Sequence, residues 1–345
     1  MKTRIYTADM IDHPDVKADI KKTLLSGKHV VFPTETVYGI GAYALHETGI
    51  LNIYRVKGRP SDNPLIMHLP SPDTIAPYVV VEQPYVNALM DAFWPGPLTL
   101  VCKKKDTVPL WLTGGLDTVG IRLPSHPVAQ KVLNIAGIPI CAPSANLSGR
   151  PSATLFEHVL DDFNHRVDII IDGGKSEVGL ESTVLDVTQI KPVILRPGVI
   201  TKTMLEDVVG PVEVQLETPH DIAPRSPGMK YKHYAPKGEM VIVEGETEKV
   251  VTYIKEQITL QQQAGRKVGV IATDDLMEQF APAYVYTLGD VARETDIAAN
   301  LYIALRRMDA LDMDVIYSIA FHQSVYQEVI MNRLYKAANH RVIKV

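Results

Sequence analysis

Residues 29–36 read HVVFPTET, a short apolar run followed at once by polar side chains. An apolar run rich in β-branched valine and closed by proline predicts a buried strand. The polar Thr34-Glu35-Thr36 then stands at the carboxyl end of that strand, where open sheets bind ligands. Similar short runs, with Pro or Gly at their edges, follow as LIMHL, LTLVCK, TVGIRL, IPICAP, VDIIID, STVLDV and VILRP. These repeated strands, which alternate with amphipathic stretches, predict an α/β or α+β sheet domain.

Amphipathic stretches alternate with the strands. In residues 15–26, Val16, Ile20 and Leu24 recur every four residues, which predicts a helix. Further helices are expected near residues 47–55, 84–93, 126–136 and 200–209. The periodicity fails over about 211–238, and beyond it MVIVEG, KVGVIAT, YVYTLG and VIYSIAF alternate with helical patterns at about 247–263, 291–308 and 325–338. This second region predicts a smaller Rossmann-like domain on a mainly parallel sheet.

Length and composition indicate a globular protein of two domains. The chain has 345 residues, of which 46% are hydrophobic and 22% charged. It has two cysteines, Cys102 and Cys141, and no N-terminal apolar segment or long apolar run, so we expect a cytoplasmic protein outside the membrane. The net charge of -5 does not suit stable nucleic-acid binding, whereas a few placed cations could still bind an anionic small molecule.

Several common catalytic motifs are absent or weak. Gly174-Lys175-Ser176 resembles the end of a P-loop, but Ile169 occupies the position of the first required glycine. GIGAYA, residues 39–44, fits a permissive dinucleotide-binding pattern without the preceding strand that this motif needs. His46-Glu47 lacks the second histidine of a zinc helix, and no serine has the glycines of a nucleophile elbow.

Two pairs of polar residues are candidates for phosphate binding. Lys57 and Arg59, two positions apart, can point to one side of an extended segment and reach the same phosphate group. They also suit an ordinary solvated helix end, where cations are favoured. Ser144 and Asn146 follow the run IPICAP, and they suit turns and helix caps as well as ligand contacts.

Three further candidates lie in or at the ends of strands. Arg122 closes TVGIRL and Arg196 closes VILRP, where each could be a solvated edge charge or could bind a carboxylate or phosphate. His68, within LIMHL, could be a buried structural histidine or a ligand. None of these residues decides the function by itself.

Taken together, the motifs resemble one family. The strings PTETVYGIGAYA, YRVKGRPSDNPLIMHL, WPGPLTLV, TVGIRLPSHPVAQ, APSANLSGRPSAT, DGGKSEVGLESTVLDV and ILRPGVI, in this order, are similar to the YrdC-like domain of the threonylcarbamoyl-AMP synthases. The resemblance includes the family's K-x-R motif, as Lys57 and Arg59, and its S-x-N motif, as Ser144 and Asn146. The segment SPGMKYKHYAP and the C-terminal region look like the longer, two-domain branch of that family.

The resemblance implies a fold and a domain division. Residues 13–200 are expected to form the catalytic domain, an α/β YrdC-like twisted mixed sheet with helices. Residues 201–238 are expected to form a linker, and residues 239–345 the smaller Rossmann-like α/β domain.

The resemblance also implies an activity, that of an ATP-binding nucleotidyltransferase. L-Threonine, bicarbonate or CO2, and ATP would give L-threonylcarbamoyl-AMP and pyrophosphate, for formation of threonylcarbamoyladenosine in tRNA by a downstream transfer machinery. Mg²⁺ would accompany ATP, without a dedicated protein metal site. The reaction needs no covalent enzyme intermediate, which agrees with the missing nucleophile motif.

The family's binding positions carry over to individual residues. Lys57 and Arg59 are the expected catalytic pair. The expected threonine-facing residues are Thr36, His68, Arg122 and Ser182. The expected ATP-facing residues are Lys57, Arg59, Asn63, Thr118, Ala142 through its backbone, Ser144, Asn146, Ser152 and Arg196.

The linker motif itself indicates more than a spacer. SPGMKYKHYAP, residues 226–236, is rich in aromatic and cationic side chains, unlike a Gly/Ser or plain Pro-rich linker. We expect it to close over the active site as a lid, with Tyr231 or Tyr234 contacting ATP. The alternative is an ordered interdomain strap whose tyrosines only pack against both domains.

Two other functions remain open at this stage. A protein of this fold could bind RNA without making the adenylate, which would require a basic concave face. A carbamoyl-transferring maturation factor could carry the same fold, but it would need zinc-finger and acylphosphatase-like extensions that this sequence lacks.

Overall fold

The computed structural model describes residues 2–216, 224–227, 234–321 and 325–345. The chain forms two compact units, the first of Met1–Ser148 with Ser152–Tyr231 and the second of Gly149–Pro151 with Lys232–Val345. The first unit therefore extends beyond residue 200, where the sequence analysis ends the catalytic domain.

The first unit is built on one large mixed sheet. Its strands are β1 (Arg4–Thr7), β2 (Val30–Phe32), β3 (Gly39–Tyr43), β4 (Ile66–His68), β5 (Val79–Val80), β6 (Leu98–Lys104), β7 (Thr118–Arg122), β8 (Ile140–Cys141), β9 (Ile169–Asp172), β10 (Thr183–Asp186), β11 (Val193–Arg196) and β12 (Glu213–Val214). Its α-helices are α1 (Pro14–Leu25), α2 (Glu47–Lys57), α3 (Tyr85–Phe93), α4 (Leu110–Thr113), α5 (Pro127–Ala136), α6 (Phe156–Phe163) and α7 (Lys202–Val209). Short 3-10 helices span Ala8–Asp12 and Pro72–Thr74.

The strand order along this sheet is β1-β9-β2-β3-β8-β4-β7-β6-β10-β11-β12, and β5 pairs with β6. The sheet contains both parallel pairs, such as β4 with β7, and antiparallel pairs, such as β6 with β7. The mixed α/β sheet expected from the sequence is confirmed. The order differs widely from the chain order, so strand ends far apart in sequence become neighbours.

Local sequence explains where the main helices begin and end. Pro14 starts α1, at a position where a backbone N–H would have no acceptor within the helix. Val16, Ile20 and Leu24 are buried on one face of this helix. Helix α2 ends at Gly58, whose φ of 62° lies in the left-handed region that glycine adopts without strain. That turn reverses the chain immediately after Lys57 and before Arg59.

The GIGAYA stretch is a strand, β3, rather than a nucleotide-binding loop. It pairs antiparallel with β2 and with β8. A Cβ on Gly41 would lie 2.7 Å from the Phe32 ring, so the glycine permits close packing inside the sheet. The permissive dinucleotide motif is thus explained by packing.

Apolar side chains form two main clusters in this unit. One joins α1 and α5 to β2 and β9, with Ile20, Leu133 and Ile169 fully buried. The larger cluster includes Ile53 of α2, Ile121 of β7 and residues beyond position 200. Both cysteines, Cys102 and Cys141, are free and buried.

The beginning of the predicted linker is part of the first unit. Helix α7 contributes Leu205 to the larger apolar cluster, and Val212 follows it there. Strand β12 extends the sheet by pairing with β11. Residues 201–216 therefore stabilise the first unit rather than only leading away from it.

The second unit is a smaller α/β fold. Its strands are β13 (Glu239–Glu244), β14 (Val268–Ala272), β15 (Tyr284–Thr287), β16 (Val315–Ile319) and β17 (Val342–Lys344). Its helices are α8 (Thr247–Gln263), α9 (Glu294–Ala310) and α10 (Gln327–Ala337), with a 3-10 helix over Asp274–Phe280. The strand order is β15-β14-β16-β13-β17 and the described pairs are all parallel, which confirms the expected Rossmann-like character.

Candidate active site

Two parallel strands bring His68 and Arg122 to neighbouring positions. Each is the last residue of its strand, β4 and β7 respectively, and the two residues pair directly in the sheet register. They are 54 positions apart in the chain but only one strand apart in space. The sheet therefore assembles two of the four expected threonine-facing residues at one edge.

Arg122 is also bonded to the loop that follows β2. Its Nη1 donates to Thr36 Oγ1 at 2.9 Å, and its Nη2 donates to Glu35 Oε1 at 2.6 Å. Its Nε donates to the carbonyl oxygen of Gly96 at 3.3 Å. Arg122 is only 4% exposed, so these bonds hold a buried guanidinium in a fixed orientation.

His68 is held in one tautomer. Its Nδ1 lies 3.1 Å from the carbonyl oxygen of Ile66, which can only accept, so Nδ1 carries the proton. Burial, reinforced by the positive charge of Arg122, lowers the pKa of His68 to about 3. The ring is therefore neutral at pH 7, and its Nε2 is a hydrogen-bond acceptor.

Ser182 connects the expected threonine-facing and ATP-facing residues. Its hydroxyl shares a 2.7 Å hydrogen bond with Thr99 Oγ1 and accepts a 3.1 Å bond from Nη2 of Arg196. Arg196 also donates from Nε and Nη2 to the carbonyl oxygen of Ser182, at 3.1 and 2.9 Å. The end of β11 is thereby fixed to the residue that precedes β10.

Lys57 joins the K-x-R and S-x-N motifs. Its ammonium donates to the carbonyl oxygens of Ser144 and Asn146, the latter at 2.6 Å. Lys57 is 3% exposed, although it ends a helix where a solvated cation is an ordinary expectation. The structure thus joins two of the expected ATP-facing residues, Ser144 and Asn146, to a third, the buried Lys57.

Arg59 lies next to this group and is bonded to the following turn. Its Nε donates to the carbonyl oxygen of Asn63 at 3.3 Å, and its Nη2 to that of Pro64 at 3.0 Å. Asn63 is 1% exposed, and its Oδ1 has no hydrogen-bond partner among the described residues. These contacts place the Arg59 side chain beside the backbone of Asn63.

Ala142 and Ser152 are placed by separate contacts. The N–H of Ala142 donates to the carbonyl oxygen of Ile66 at 3.2 Å, which ties the segment before Ser144 to strand β4. Ser152 is 1% exposed and donates to Glu181 Oε1 at 2.6 Å. Their contacts with ATP stay predictions.

Thr118 borders a small pocket in the first unit. Its lining also includes Thr99, Arg225 and Pro227. Arg225 forms an ion pair with Asp186, which is fully buried, and Arg196 Nη1 donates to the carbonyl oxygen of Pro227 at 3.4 Å. Part of the predicted linker is therefore bonded to residues beside Thr118 and Arg196.

Of the two linker tyrosines, only Tyr234 lies among the described residues, and Tyr231 lies outside them. Tyr234 is 4% exposed in the second unit, where its ring centroid lies 5.2 Å from that of Tyr302 and the Arg333 guanidinium lies 5.5 Å from it. These packing contacts are those of the ordered strap that the sequence left as an alternative, and contact of Tyr234 with ATP stays a prediction.

Sequence reasoning missed the position of Glu35. This residue is 4% exposed and bonds Arg122, yet its sequence signal was only that of one polar residue among three after a strand. Thr34 fixes the loop around it, since its hydroxyl donates to the carbonyl oxygen of Val37 at 2.7 Å and accepts from the N–H groups of Thr36 and Val37. The sequence analysis placed this polar loop at a strand end suited to ligand binding but did not predict the bond from Arg122 to Glu35.

Within the described ranges, no cluster of three or more His, Cys, Asp and Glu side chains is arranged to hold a metal ion. A search of the same residues finds no helix that is long and apolar enough to span a membrane.

A large mixed sheet with polar clusters at its strand ends, followed by a parallel α/β unit, defines a YrdC-like protein of the two-domain class. The family model described as "Telomere recombination", which covers Sua5, YciO and YrdC proteins, matches residues 22–198. The model described as "Threonylcarbamoyl-AMP synthase, C-terminal domain" matches residues 200–339. The chain therefore belongs to the threonylcarbamoyl-AMP synthase family.

Two relatives and one crystal structure are similar to this chain over at least 92% of its length. The threonylcarbamoyl-AMP synthase of Pyrococcus abyssi is 44% identical, over 92% of this chain and 93% of that protein. The Bacillus subtilis threonylcarbamoyl-AMP synthase is 42% identical over 100% of both. The crystal structure of P. abyssi Sua5 complexed with L-threonine has a TM-score of 0.92 and 40% identity, covering 100% of both chains.

Proposed function

We propose that this chain forms L-threonylcarbamoyl-AMP and pyrophosphate from L-threonine, bicarbonate or CO2, and ATP, as a nucleotidyltransferase. The observation that carries the proposal is the hydrogen bonding of Arg196 to Ser182, since it joins an expected ATP-facing residue to an expected threonine-facing one. Family membership and the L-threonine complex of the P. abyssi relative support the substrate.

The amino acid would bind beside Arg122. Arg122 donates three hydrogen bonds to the protein, to Thr36, Glu35 and Gly96, and a guanidinium has five N–H donors. The remaining two suit a carboxylate, which arginine binds with two parallel hydrogen bonds. Neutral His68 and the hydroxyl of Thr36 could then read the hydroxyl group of threonine.

The chemistry requires positioning and charge neutralisation. The threonine amine would form a carbamate, and a carbamate oxygen would then attack the α-phosphorus of ATP as the bond to pyrophosphate breaks. Arg59 and Arg196 would neutralise phosphate charge, while Lys57 would fix the loop that carries Ser144 and Asn146. Such a displacement proceeds without a covalent enzyme intermediate.

Mg²⁺ would enter with ATP. Divalent magnesium commonly binds through substrate phosphate oxygens and waters with few protein ligands.

The linker would act as a lid over the site. Arg225 and Pro227 border the same pocket as Thr118, and Pro227 accepts a hydrogen bond from Arg196. A segment held at this place could exclude water from the carbamate and the adenylate, both of which hydrolyse. ATP with L-threonine should then slow proteolysis within residues 201–238.

The product would serve tRNA modification in the cytoplasm. Threonylcarbamoyl-AMP is an activated acyl donor, so a separate transfer machinery must consume it to give threonylcarbamoyladenosine. Stable nucleic-acid binding by this chain is not required for that role.

The decisive experiment combines substrate dependence with product identification. The full-length protein would be incubated with ATP, L-threonine and labelled bicarbonate, and the products separated by chromatography. Label should appear in an adenylate, with pyrophosphate release that depends on both L-threonine and bicarbonate. Equal pyrophosphate release with either one omitted would show that the assignment is wrong.

A further inference from the structure

The carboxylate of Glu35 has one satisfied oxygen and one open oxygen. Oε1 accepts the 2.6 Å bond from Arg122, whereas Oε2 is buried and has no hydrogen-bond partner among the described residues. The side chain is 5% exposed, so bulk water does not solvate the open oxygen. A buried carboxylate oxygen without a partner is unfavourable, and such exceptions call for a specific explanation.

The backbone around Glu35 is held firmly. Its carbonyl oxygen accepts a 2.8 Å bond from the N–H of Val178, and the hydroxyl of Thr34 accepts from the N–H groups of Thr36 and Val37. The open oxygen therefore belongs to a loop that hydrogen bonds fix on both sides. A fixed, buried acceptor is the kind of group that preorganised binding sites use.

Arg122 has hydrogen-bond donors that complement the open oxygen of Glu35. It uses three of its five N–H donors on Gly96, Thr36 and Glu35, and the other two have no acceptor among the residues described. A buried cation with open donors thus lies against a buried anion with an open acceptor. An α-amino acid carries the opposite pattern, a carboxylate and an ammonium group on the same carbon.

We propose that Glu35 is a specificity-determining residue that binds the α-ammonium group of the amino-acid substrate while Arg122 binds its α-carboxylate. The proposal rests on the proposed function for the identity of the substrate as L-threonine. The Glu35–Arg122 pair then reads both charged groups of a zwitterion, and the nearby hydroxyl of Thr36 is left to contact other substrate atoms.

The alternative is that Glu35 serves only as the counterion that orients Arg122. In that case its loss would weaken every ligand that carries a carboxylate, whether or not the ligand has an amine. A pair of matched ligands separates the two possibilities. L-Threonine and (R)-3-hydroxybutanoate share the carboxylate, the hydroxyl and the methyl group, and only threonine has the amine.

The test is isothermal titration of both ligands into the full-length protein and its Glu35→Gln variant. The wild-type protein should bind L-threonine about 10- to 100-fold more tightly than (R)-3-hydroxybutanoate, the range expected of a charge-assisted hydrogen bond. In Glu35→Gln this preference should fall below about 3-fold, and affinity for (R)-3-hydroxybutanoate should change little. Glu177→Gln, a change at an exposed acid on a neighbouring loop, should leave both affinities unchanged.

Several outcomes would overturn the proposal. Equal weakening of both ligands in Glu35→Gln would assign Glu35 to orienting Arg122 alone, and an unchanged preference would remove it from ammonium recognition. If Glu35→Gln does not fold, the wild-type comparison can still overturn the proposal, because a wild-type protein with no preference for the amine contradicts it. Failure of the proposed function is separate, since a protein could show this preference and yet form no threonylcarbamoyl-AMP.

Discussion

The ammonium nitrogen of Lys57 lies 2.6 Å from the carbonyl oxygen of Asn146, 89 residues further along the chain. The same ammonium donates to the carbonyl oxygen of Ser144. Backbone carbonyls that accept from a buried cation gain stronger hydrogen bonds than neutral donors give. Lys57 therefore holds the backbone of the loop that carries the S-x-N motif.

Replacing Lys57 should destabilise the first unit. Lys57→Met keeps much of the side-chain volume but removes the donor from two buried carbonyls, which should lower the free energy of unfolding by roughly 2–4 kcal/mol. Both tryptophans, Trp94 and Trp111, lie in the first unit, so denaturant unfolding followed by tryptophan fluorescence reports on it.

Lys21→Met is the matched control for this change. Lys21 is exposed on α1, and its replacement should shift stability by less than about 0.5 kcal/mol. Equal stability of the Lys57 and Lys21 variants would show that the buried ammonium does not hold the loop.

Arg59 should contribute far more to catalysis than a nearby surface arginine. Arg59→Ala removes a cation expected at the phosphates, and a contact of about 2–3 kcal/mol corresponds to roughly a 30- to 150-fold loss of rate. Arg55→Ala changes an exposed arginine one turn earlier on α2 and should keep nearly the full rate. Initial rates of pyrophosphate release would measure both, and similar rates would refute a phosphate role for Arg59.

His68 should make stability depend on pH in a defined window. Burial and Arg122 lower the pKa of His68 to about 3 in the folded protein, whereas an unfolded histidine titrates near 6.5. The unfolded state thus binds an extra proton as the pH falls below about 6.5, and stability decreases toward the lower pKa.

The comparison of wild type with His68→Gln isolates this effect. Between pH 7 and pH 5 the wild-type protein should lose roughly 2 kcal/mol more stability than the variant, measured by denaturant unfolding at each pH. His29 and His126, whose pKa values burial also lowers, are present in both proteins and cancel in the difference. Parallel pH profiles for the two proteins would contradict a buried neutral His68.

The sequence predicts much of this architecture but only part of the site. Apolar runs such as TVGIRL and VILRP are confirmed as strands β7 and β11, because a run buried in a sheet needs little beyond its own residues to be recognised. The sequence did not predict strand β3, because glycines weaken the strand signal. Gly41 instead allows close packing against Phe32. The nearness of His68 and Arg122 depends on which strands pair, and that choice is non-local.

The burial and pairing of charged side chains also depend on contacts between distant parts of the chain. Lys57 suits a solvated helix end in the sequence, and its burial follows only from the approach of the loop at Ser144 and Asn146. Glu35 shows no special pattern until Arg122 is placed against it. Motif resemblance predicted the candidate site residues, whereas their hydrogen-bond partners follow only from the folded chain.

Arg225 offers a test of the linker. It pairs with the fully buried Asp186, whose Oδ1 also accepts from the backbone N–H and the hydroxyl of Thr188. Arg225→Ala leaves Asp186 with its local partners but removes one of the bonds that hold the linker beside Thr118, the other being the bond from Arg196 to Pro227. Pyrophosphate release should fall about 10-fold or more if a closed linker stabilises the transition state by over 1.4 kcal/mol. Lys191→Ala is the control, because it breaks the exposed pair with Glu213, and such surface pairs contribute little. Tryptophan fluorescence would verify that both variants keep a folded first unit, and a full reaction rate in folded Arg225→Ala would mean that the docked linker plays no part in the reaction.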